Sequence, residues 1–373
     1  MSNKTIGITG PDGFIGKHFA LRAARVEGWK VVACPRSAFD NPDEMKAFVS
    51  ACDAIVHFAG MNRGTEAEIH SVNVGLATKL IDALKAIGRT PHVAYASSTQ
   101  EEANNVYGNA KREAGKILAE WAQSCGAPMS NLVIPNVYGA GCRPFYNSVV
   151  ATFCHQLARG ETPTILVDKE VEFICVSELV DFIAADILDP PDGVERQRIR
   201  GTAHMTVSKL LETLKSFRDL YFESDVVPDL SDRTMQHLYA TFLSYLPAEK
   251  LRHCPKLHTD NRGSLVEVIK LAQGGQVFFS TTKPGIIRGN HYHTRKVEWF
   301  CVLKGDAVIR LRRLGTHEIQ EFRVSGNQPE FISIPVMHTH HIENVGDEEL
   351  LTMFWCNEIF NERDADTHFE KVA

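Results

Sequence analysis

Missing from this 373-residue chain is any apolar run approaching the ~20 residues a membrane-spanning helix requires. Its longest apolar runs, such as Asp53-Ala-Ile-Val-His-Phe-Ala-Gly60, have the length of a strand. Positive charge is not in excess. Forty Lys+Arg against 46 Asp+Glu leave a formal −6, so there is no basic field to wrap nucleic acid or coat an anionic membrane. The cysteines, an odd nine, are scattered without a CxxC pair and read as reduced thiols of a cytoplasmic protein. No signal-peptide pattern is present, since Met-Ser-Asn-Lys leads directly into a strand. What remains is ordinary globular composition, 44% apolar, at a length that predicts two domains.

The texture of the chain changes near residue 247. Before it, β-rich runs (4–9, 30–34, 54–58, 92–96, 131–134) alternate with helical patterns such as Val74–Leu84, and residues 205–246 read as helical. This alternation predicts a Rossmann-type α/β domain over 1–246, with a doubly wound parallel sheet covered on both faces. After Pro247, short alternating segments are separated by Gly, Pro, Asn and Asp, predicting an all-β barrel or jelly roll over 247–373.

The first strand runs into Gly10-Pro-Asp-Gly13-Phe14-Ile15-Gly16 and then a helical stretch. Glycines here permit a tight turn and close approach of backbone to a pyrophosphate, which rests on the helix N-terminus. The second strand ends at Cys34-Pro-Arg36, an arginine where an acidic residue would hold a ribose 2′-OH, so NADP is favoured over NAD. Further on, Ser97-Ser98-Thr99 closes a strand, and Tyr107 and Lys111 share one helix face at i, i+4. An ammonium beside a phenol lowers its pKa, and the phenol can then protonate a carbonyl oxygen as hydride arrives.

With His57-Phe58-Ala59-Gly60, Asn73 and Asn136-Val-Tyr-Gly139, these words make the first domain resemble an extended short-chain dehydrogenase/reductase of the nucleotide-sugar branch. The resemblance implies that Phe58, Ala59 and Gly60 join the cofactor site. It makes Tyr107 the general acid, Lys111 its partner, and Thr99 or Ser98 the substrate-orienting hydroxyl. Arg143, Asn147 and Ser148 fall where such enzymes hold the sugar nucleotide. The related dehydratases carry Thr-Asp-Glu after the strand, whereas this chain has Thr99-Gln100-Glu101. Glutamine cannot donate the proton, which argues for carbonyl reduction over dehydration.

In the second domain, Gly285-x5-His291-x-His293-x4-Glu298-x6-Gly305 matches the first cupin motif at every defined position. Pro335 through His340 to Asn344 matches the second, with Met337 where a glycine is usual. The cupin resemblance implies that His291 and His293 alternate on a strand facing the lumen and that Glu298 and His340 come from neighbouring strands. Three imidazoles and a carboxylate suit a divalent first-row metal, zinc foremost. Arg288-Gly-Asn-His-Tyr-His293 is also similar to a word of the sugar-nucleotide 3,5-epimerases, in which a proton is removed beside a ketone; Tyr292 and Lys296 stand as possible donors.

Joined in this order, the two modules resemble the bifunctional enzymes of capsular polysaccharide synthesis. That implies C3 epimerisation of a UDP-2-acetamido-2,6-dideoxy-4-hexulose in the cupin and NADPH-dependent C4 reduction in the first domain. The product would be UDP-2-acetamido-2,6-dideoxy-L-talose, and the chain a cytoplasmic homodimer. The alternative is a single-site 4-ketoreductase whose cupin is a dimerisation module.

Overall fold

The computed structural model describes residues 3–373. Two compact units emerge, one of Met1–Leu214 with Gln236–Leu246 and one of Lys215–Met235 with Pro247–Ala373.

The first unit begins β1 (Lys4–Thr9), α1 (Phe14–Ala23), β2 (Trp29–Ala33), α2 (Pro42–Ser50), β3 (Ala54–His57), α3 (Glu66–Ile87), β4 (His92–Ser98) and α4 (Val106–Cys125). It continues with β5 (Met129–Ile134), β6 (Asn136–Tyr138), α5 (Val149–Ala158), β7 (Glu170–Cys175), α6 (Val176–Leu188), β8 (Val194–Arg198) and β9 (Ala203–Thr206). Six strands form one parallel sheet in the order β2-β1-β3-β4-β5-β8. β3 is buried along its whole length, as its unbroken apolar run requires. One core cluster packs Phe48, Leu80, Leu84, Leu118 and Trp121 on one face of the sheet. A second packs Phe19, Leu179 and Ile183 on the other. The chain order reverses between β1 and β3, and in open α/β sheets the ligand crevice lies at the carboxyl ends of the strands at such a point.

α7 (Val207–Asp219), β10 (Val226–Val227) and α8 (Arg233–Leu243) follow. The helical stretch expected over 205–246 is therefore broken. Residues 215–235, placed by sequence in the first domain, group with the second unit, where β10 pairs in parallel with the strand at Gly263–Leu271.

That unit contains β11 (Leu257–Asp260), β12 (Gly263–Leu271), β13 (Gly275–Thr282), β14 (Ile287–Tyr292), β15 (Glu298–Lys304), β16 (Asp306–Arg313) and β17 (Ile319–Ser325). β18 (Phe331–Ile334), β19 (His338–Asn344), β20 (Leu350–Cys356) and β21 (His368–Phe369) complete it. One sheet runs β10-β12-β13-β20-β15-β18 with β11 on β12, and the other β17-β16-β19-β14-β21. Phe300, Val302, Ile309, Leu311, Ile342 and Phe354 form the core of this unit. Among the described residues, no helix is long and apolar enough to cross a membrane.

Candidate active sites in the two units

At the switch point of the first unit, Gly10 takes φ +66 and a Cβ there would lie 2.9 Å from the Ala59 nitrogen. Gly16 is closer still, since its Cβ would meet the Gly10 carbonyl oxygen at 2.2 Å. The glycines thus bring the β1 turn, the α1 N-terminus and the Phe58-Ala59-Gly60 segment together. Gly13 is the N-cap of α1 and, like any glycine, supplies no capping side chain, so the first N–H groups of Phe14, Ile15 and Gly16 remain for an anion. Arg36 is exposed in the short helical turn that follows β2, and its guanidinium makes no ion pair or hydrogen bond among the described residues.

Lys111 is buried, its Nζ donating to the Ala96 carbonyl at 2.6 Å and lying over the Tyr95 ring at 4.7 Å. Burial pulls its pKa down to about 8, with the Glu101 carboxylate opposing the shift. Tyr107, one turn earlier on α4, is half-buried; burial, then the neighbouring Tyr146, pushes its phenol up to about 12, opposite to the lowering expected from Lys111. Asn105 starts this helix by accepting from the Gly108 N–H at 2.8 Å. Ser98 and Thr99 divide their work. The Ser98 hydroxyl accepts from the Gln100 N–H at 3.2 Å and caps a short helical turn, whereas the Thr99 hydroxyl has no hydrogen-bond partner among the described residues.

Three residues absent from the sequence-based site belong to this region. Glu101 is turned inward, bonded to the Ser97 hydroxyl and to Arg196 Nε at 2.8 Å. Asn62 accepts from the Tyr146 hydroxyl at 2.5 Å, and Arg63 donates to the carbonyls of Phe145 and Tyr146. Arg63 and Arg143 also lie over the Tyr146 ring, at 4.5 and 5.3 Å from its centroid. Arg143 and Asn147 are exposed on this loop, while Ser148 caps α5 by accepting from the Ala151 N–H at 3.3 Å. Only the run of polar and aromatic residues hinted at this clasp.

In the second unit, ligand atoms of His291, His293, Glu298 and His340 lie within 4.8 Å of one another. The origin of two of them differs from expectation. β14 ends at Tyr292, so His293 comes from the turn that follows, and Glu298 reaches in from β15 of the opposite sheet, not from a neighbour of β19. His293 Nδ1 lies 2.5 Å from the Asp366 carbonyl and His340 Nδ1 3.2 Å from the His338 carbonyl. A carbonyl can only accept, so both rings carry their proton outward and aim bare Nε2 atoms inward. Both Nε2 atoms lie 3.2 Å from Glu298 Oε2, and that of His340 is buried without a hydrogen bond. An anionic carboxylate among inward lone pairs fits a divalent cation and has no internal proton to satisfy it.

Met337 occupies the usual glycine position with φ +60, held there by its N–H to the His293 carbonyl at 2.8 Å. His341 turns to Asn290 Oδ1 at 3.1 Å, and His338 Nδ1 to the Val336 carbonyl at 2.9 Å; neither joins the cluster. Lys296 Nζ is committed to the Ala365 carbonyl, and Tyr292 stacks on His368 with centroids 5.1 Å apart.

Comparison with known proteins follows this division. Residues 6–199 match the NAD dependent epimerase/dehydratase family, and residues 258–368 the polysaccharide biosynthesis C-terminal domain. A UDP-2-acetamido-2,6-beta-L-arabino-hexul-4-ose reductase of Pseudomonas aeruginosa is 33% identical over 367 residues, 97% of each chain. The crystal structure of the capsular polysaccharide assembling protein CapF of Staphylococcus aureus superposes with TM-score 0.86 at 32% identity, covering 98% of this chain and 99% of that one. RMD of Pseudomonas aeruginosa, solved with NADPH, shares the fold of the first unit at TM-score 0.57 and 19% identity, covering 65% of this chain and 97% of its own.

Proposed function

The chain belongs to the NAD dependent epimerase/dehydratase family, and from that premise we propose that it is a bifunctional UDP-sugar enzyme, a C3 epimerase joined to an NADPH-dependent 4-ketoreductase. Its substrate is a UDP-2-acetamido-2,6-dideoxy-4-hexulose and its product UDP-2-acetamido-2,6-dideoxy-L-talose, in keeping with the names of the relatives above. The carrying observation is the convergence of His291, His293, Glu298 and His340 within 4.8 Å, in a chain that also sets Tyr107 and Lys111 one turn apart on α4.

In the first unit, the Gly10–Gly16 turn, Arg36 and Phe58–Gly60 are the residues that would hold NADPH. The bound cofactor supplies a hydride for C4. Thr99 orients the sugar, and Tyr107 gives its hydroxyl proton to the C4 oxygen. A phenol held near 12 stays protonated at neutral pH, as a donor must. Lys111, below its pKa of about 8, carries the positive charge that stabilises the phenolate left behind. Arg143, Asn147 and Ser148 line the segment assigned to the sugar nucleotide.

In the second unit, His291, His293, Glu298 and His340 would hold a divalent metal, zinc foremost, which polarises a carbonyl as a Lewis acid when bound. The hydrogen at C3 is acidified by the C4 ketone, so inversion needs only proton removal and return. The homodimer and a cytoplasmic site of action are part of the same reading, carried by the resemblance.

The test is incubation with a UDP-4-keto-6-deoxy-HexNAc in deuterated water, first without and then with NADPH. Deuterium at C3 without cofactor, and a deuterated alcohol with it, is the expected result. Cofactor oxidation with no exchange would make the chain a single-site reductase and its barrel a structural module.

A further inference from the structure

The last residues of the chain touch the segments that carry all three histidines of the cluster. We propose that Asp366 is a positioning residue that assembles the metal centre, by pinning this C-terminal strap to the turn between His293 and Glu298. The inference rests on the metal-holding reading of that cluster.

Asp366 acts through both ends of its own structure. Its backbone carbonyl fixes His293 Nδ1 at 2.5 Å, which sets the ring's tautomer and direction. Its carboxylate accepts the N–H groups of Thr294, Arg295 and Lys296 at 3.0, 2.9 and 3.0 Å, and the Thr294 hydroxyl at 2.6 Å. Those residues begin the link from one ligand, His293, to the next, Glu298. Four donors from three consecutive residues define the turn's shape, and they hold the carboxyl far below the usual carboxylate range although its burial opposes this. Asp366 itself takes φ +42, a conformation Asp tolerates better than most residues.

The neighbours of Asp366 extend the hold. Lys296 Nζ donates to the Ala365 carbonyl. His368 and Phe369 pair with Tyr292 and His291 on β14. The Glu370 N–H reaches the Asn290 carbonyl at 3.0 Å, and the Glu370 carbonyl accepts from Thr339, next to His340. A ligand that fixes His291, His293 and His340 must therefore favour the docked strap, and by linkage the docked strap must raise affinity for that ligand.

The full chain is stripped of metal and titrated with zinc against a competing chelator, as wild type, Asp366→Asn and Asp366→Ala. Circular dichroism checks the fold of each. Asp366→Asn keeps the side chain's shape and the backbone carbonyl while removing the charge that gathers three N–H groups. Its zinc affinity should fall about tenfold, and that of Asp366→Ala further, within the range for outer-shell partners of metal ligands. In parallel, zinc should slow carboxypeptidase release of the last residues from wild type more than from Asp366→Asn. A purely structural aspartate would lower thermal stability and leave zinc affinity alone. Wild type that binds no zinc overturns the metal reading itself. Wild-type zinc binding with Asp366→Asn within twofold, or a strap whose release ignores zinc, overturns only this inference.

Discussion

Gly13 and Gly16 stand three residues apart in the same turn, and the structure assigns them opposite sensitivities. A Cβ on Gly16 would lie 2.2 Å from the Gly10 oxygen and 3.1 Å from both the Gly10 carbon and the Pro11 Cα. Every atom it meets is backbone, and the Gly10 oxygen also accepts the Gly13 N–H at 3.1 Å, so no rotamer change relieves the clash. Opening the contact to an ordinary separation needs a shift of about 1 Å between α1 and the turn. Overpacking of this kind costs roughly 1–3 kcal/mol. For a unit of this size that corresponds to a fall in Tm of about 3–10 °C for Gly16→Ala. Gly13, by contrast, has φ −70 and ψ 164, and its Cβ would meet only the Gly10 oxygen, at 3.3 Å. Gly13→Ala should therefore melt within about 2 °C of wild type, because its dihedrals suit alanine and its one tight contact asks the Gly10 oxygen to give by only a few tenths of an ångström. Its cost falls on the cofactor, whose pyrophosphate must approach that backbone, and NADPH affinity should drop about tenfold or more. Scanning calorimetry and NADPH fluorescence titration measure the two effects. A Gly13→Ala protein with normal NADPH affinity, or a Gly16→Ala protein with wild-type Tm, would refute the assignment of roles.

Burial lowers Lys111 from its ordinary value near 10.5 to about 8, so between those pH values the unfolded chain binds the proton more tightly and stability rises with pH. At ~1.36 kcal/mol per pKa unit, this group contributes a rise of about 2.5 kcal/mol between pH 7 and 10. Urea unfolding of Lys111→Met should lack that increment, and equal pH dependence in both proteins contradicts it. Replacing Arg36 by alanine should weaken NADPH about tenfold and leave NADH nearly untouched, because only the former carries the 2′-phosphate. Equal loss for both cofactors in a binding titration would remove Arg36 from that role.

Legibility followed chain locality. The strands β1 to β5 are short apolar runs bounded by turns and could be read directly, but β8, Val-Glu-Arg-Gln-Arg, is polar and sits at the sheet edge. Its place depends on pairing with β5, which no local pattern encodes. The convergence of His291, His293, Glu298 and His340 was readable because the four fall in two compact words, although the sheet that supplies Glu298 was not. Glu101 turns inward to meet Arg196, 95 residues later, and Asp366 meets the turn after His293 from more than 70 residues away. Such partners are set by tertiary contact, and each acts through backbone groups or ion pairs that carry no spacing signature. Met337 shows the reverse case, where a departure from a motif gains its meaning only from the φ +60 that the position imposes.

The chemistry of a 4-keto sugar fixes the order of the two proposed steps. C3–H is acidic only while C4 is a carbonyl, so reduction ends any exchange at C3. Epimerisation must then come first, and reduction draws the balanced epimers forward. Tyr107→Phe removes the phenolic proton but leaves the barrel's cluster untouched, so with NADPH present it should exchange C3 deuterium and form no alcohol. Its loss in reduction should reach about 10²–10⁴-fold, the usual worth of a general acid. His291→Ala removes one ligand of the cluster while sparing the Tyr107 site. It should abolish exchange and, where the reductase accepts the unepimerised ketone, yield an alcohol without deuterium at C3. Mass spectrometry of the two reactions separates these outcomes. If either variant loses both activities while remaining folded, the two centres are not independent and the sequential model fails.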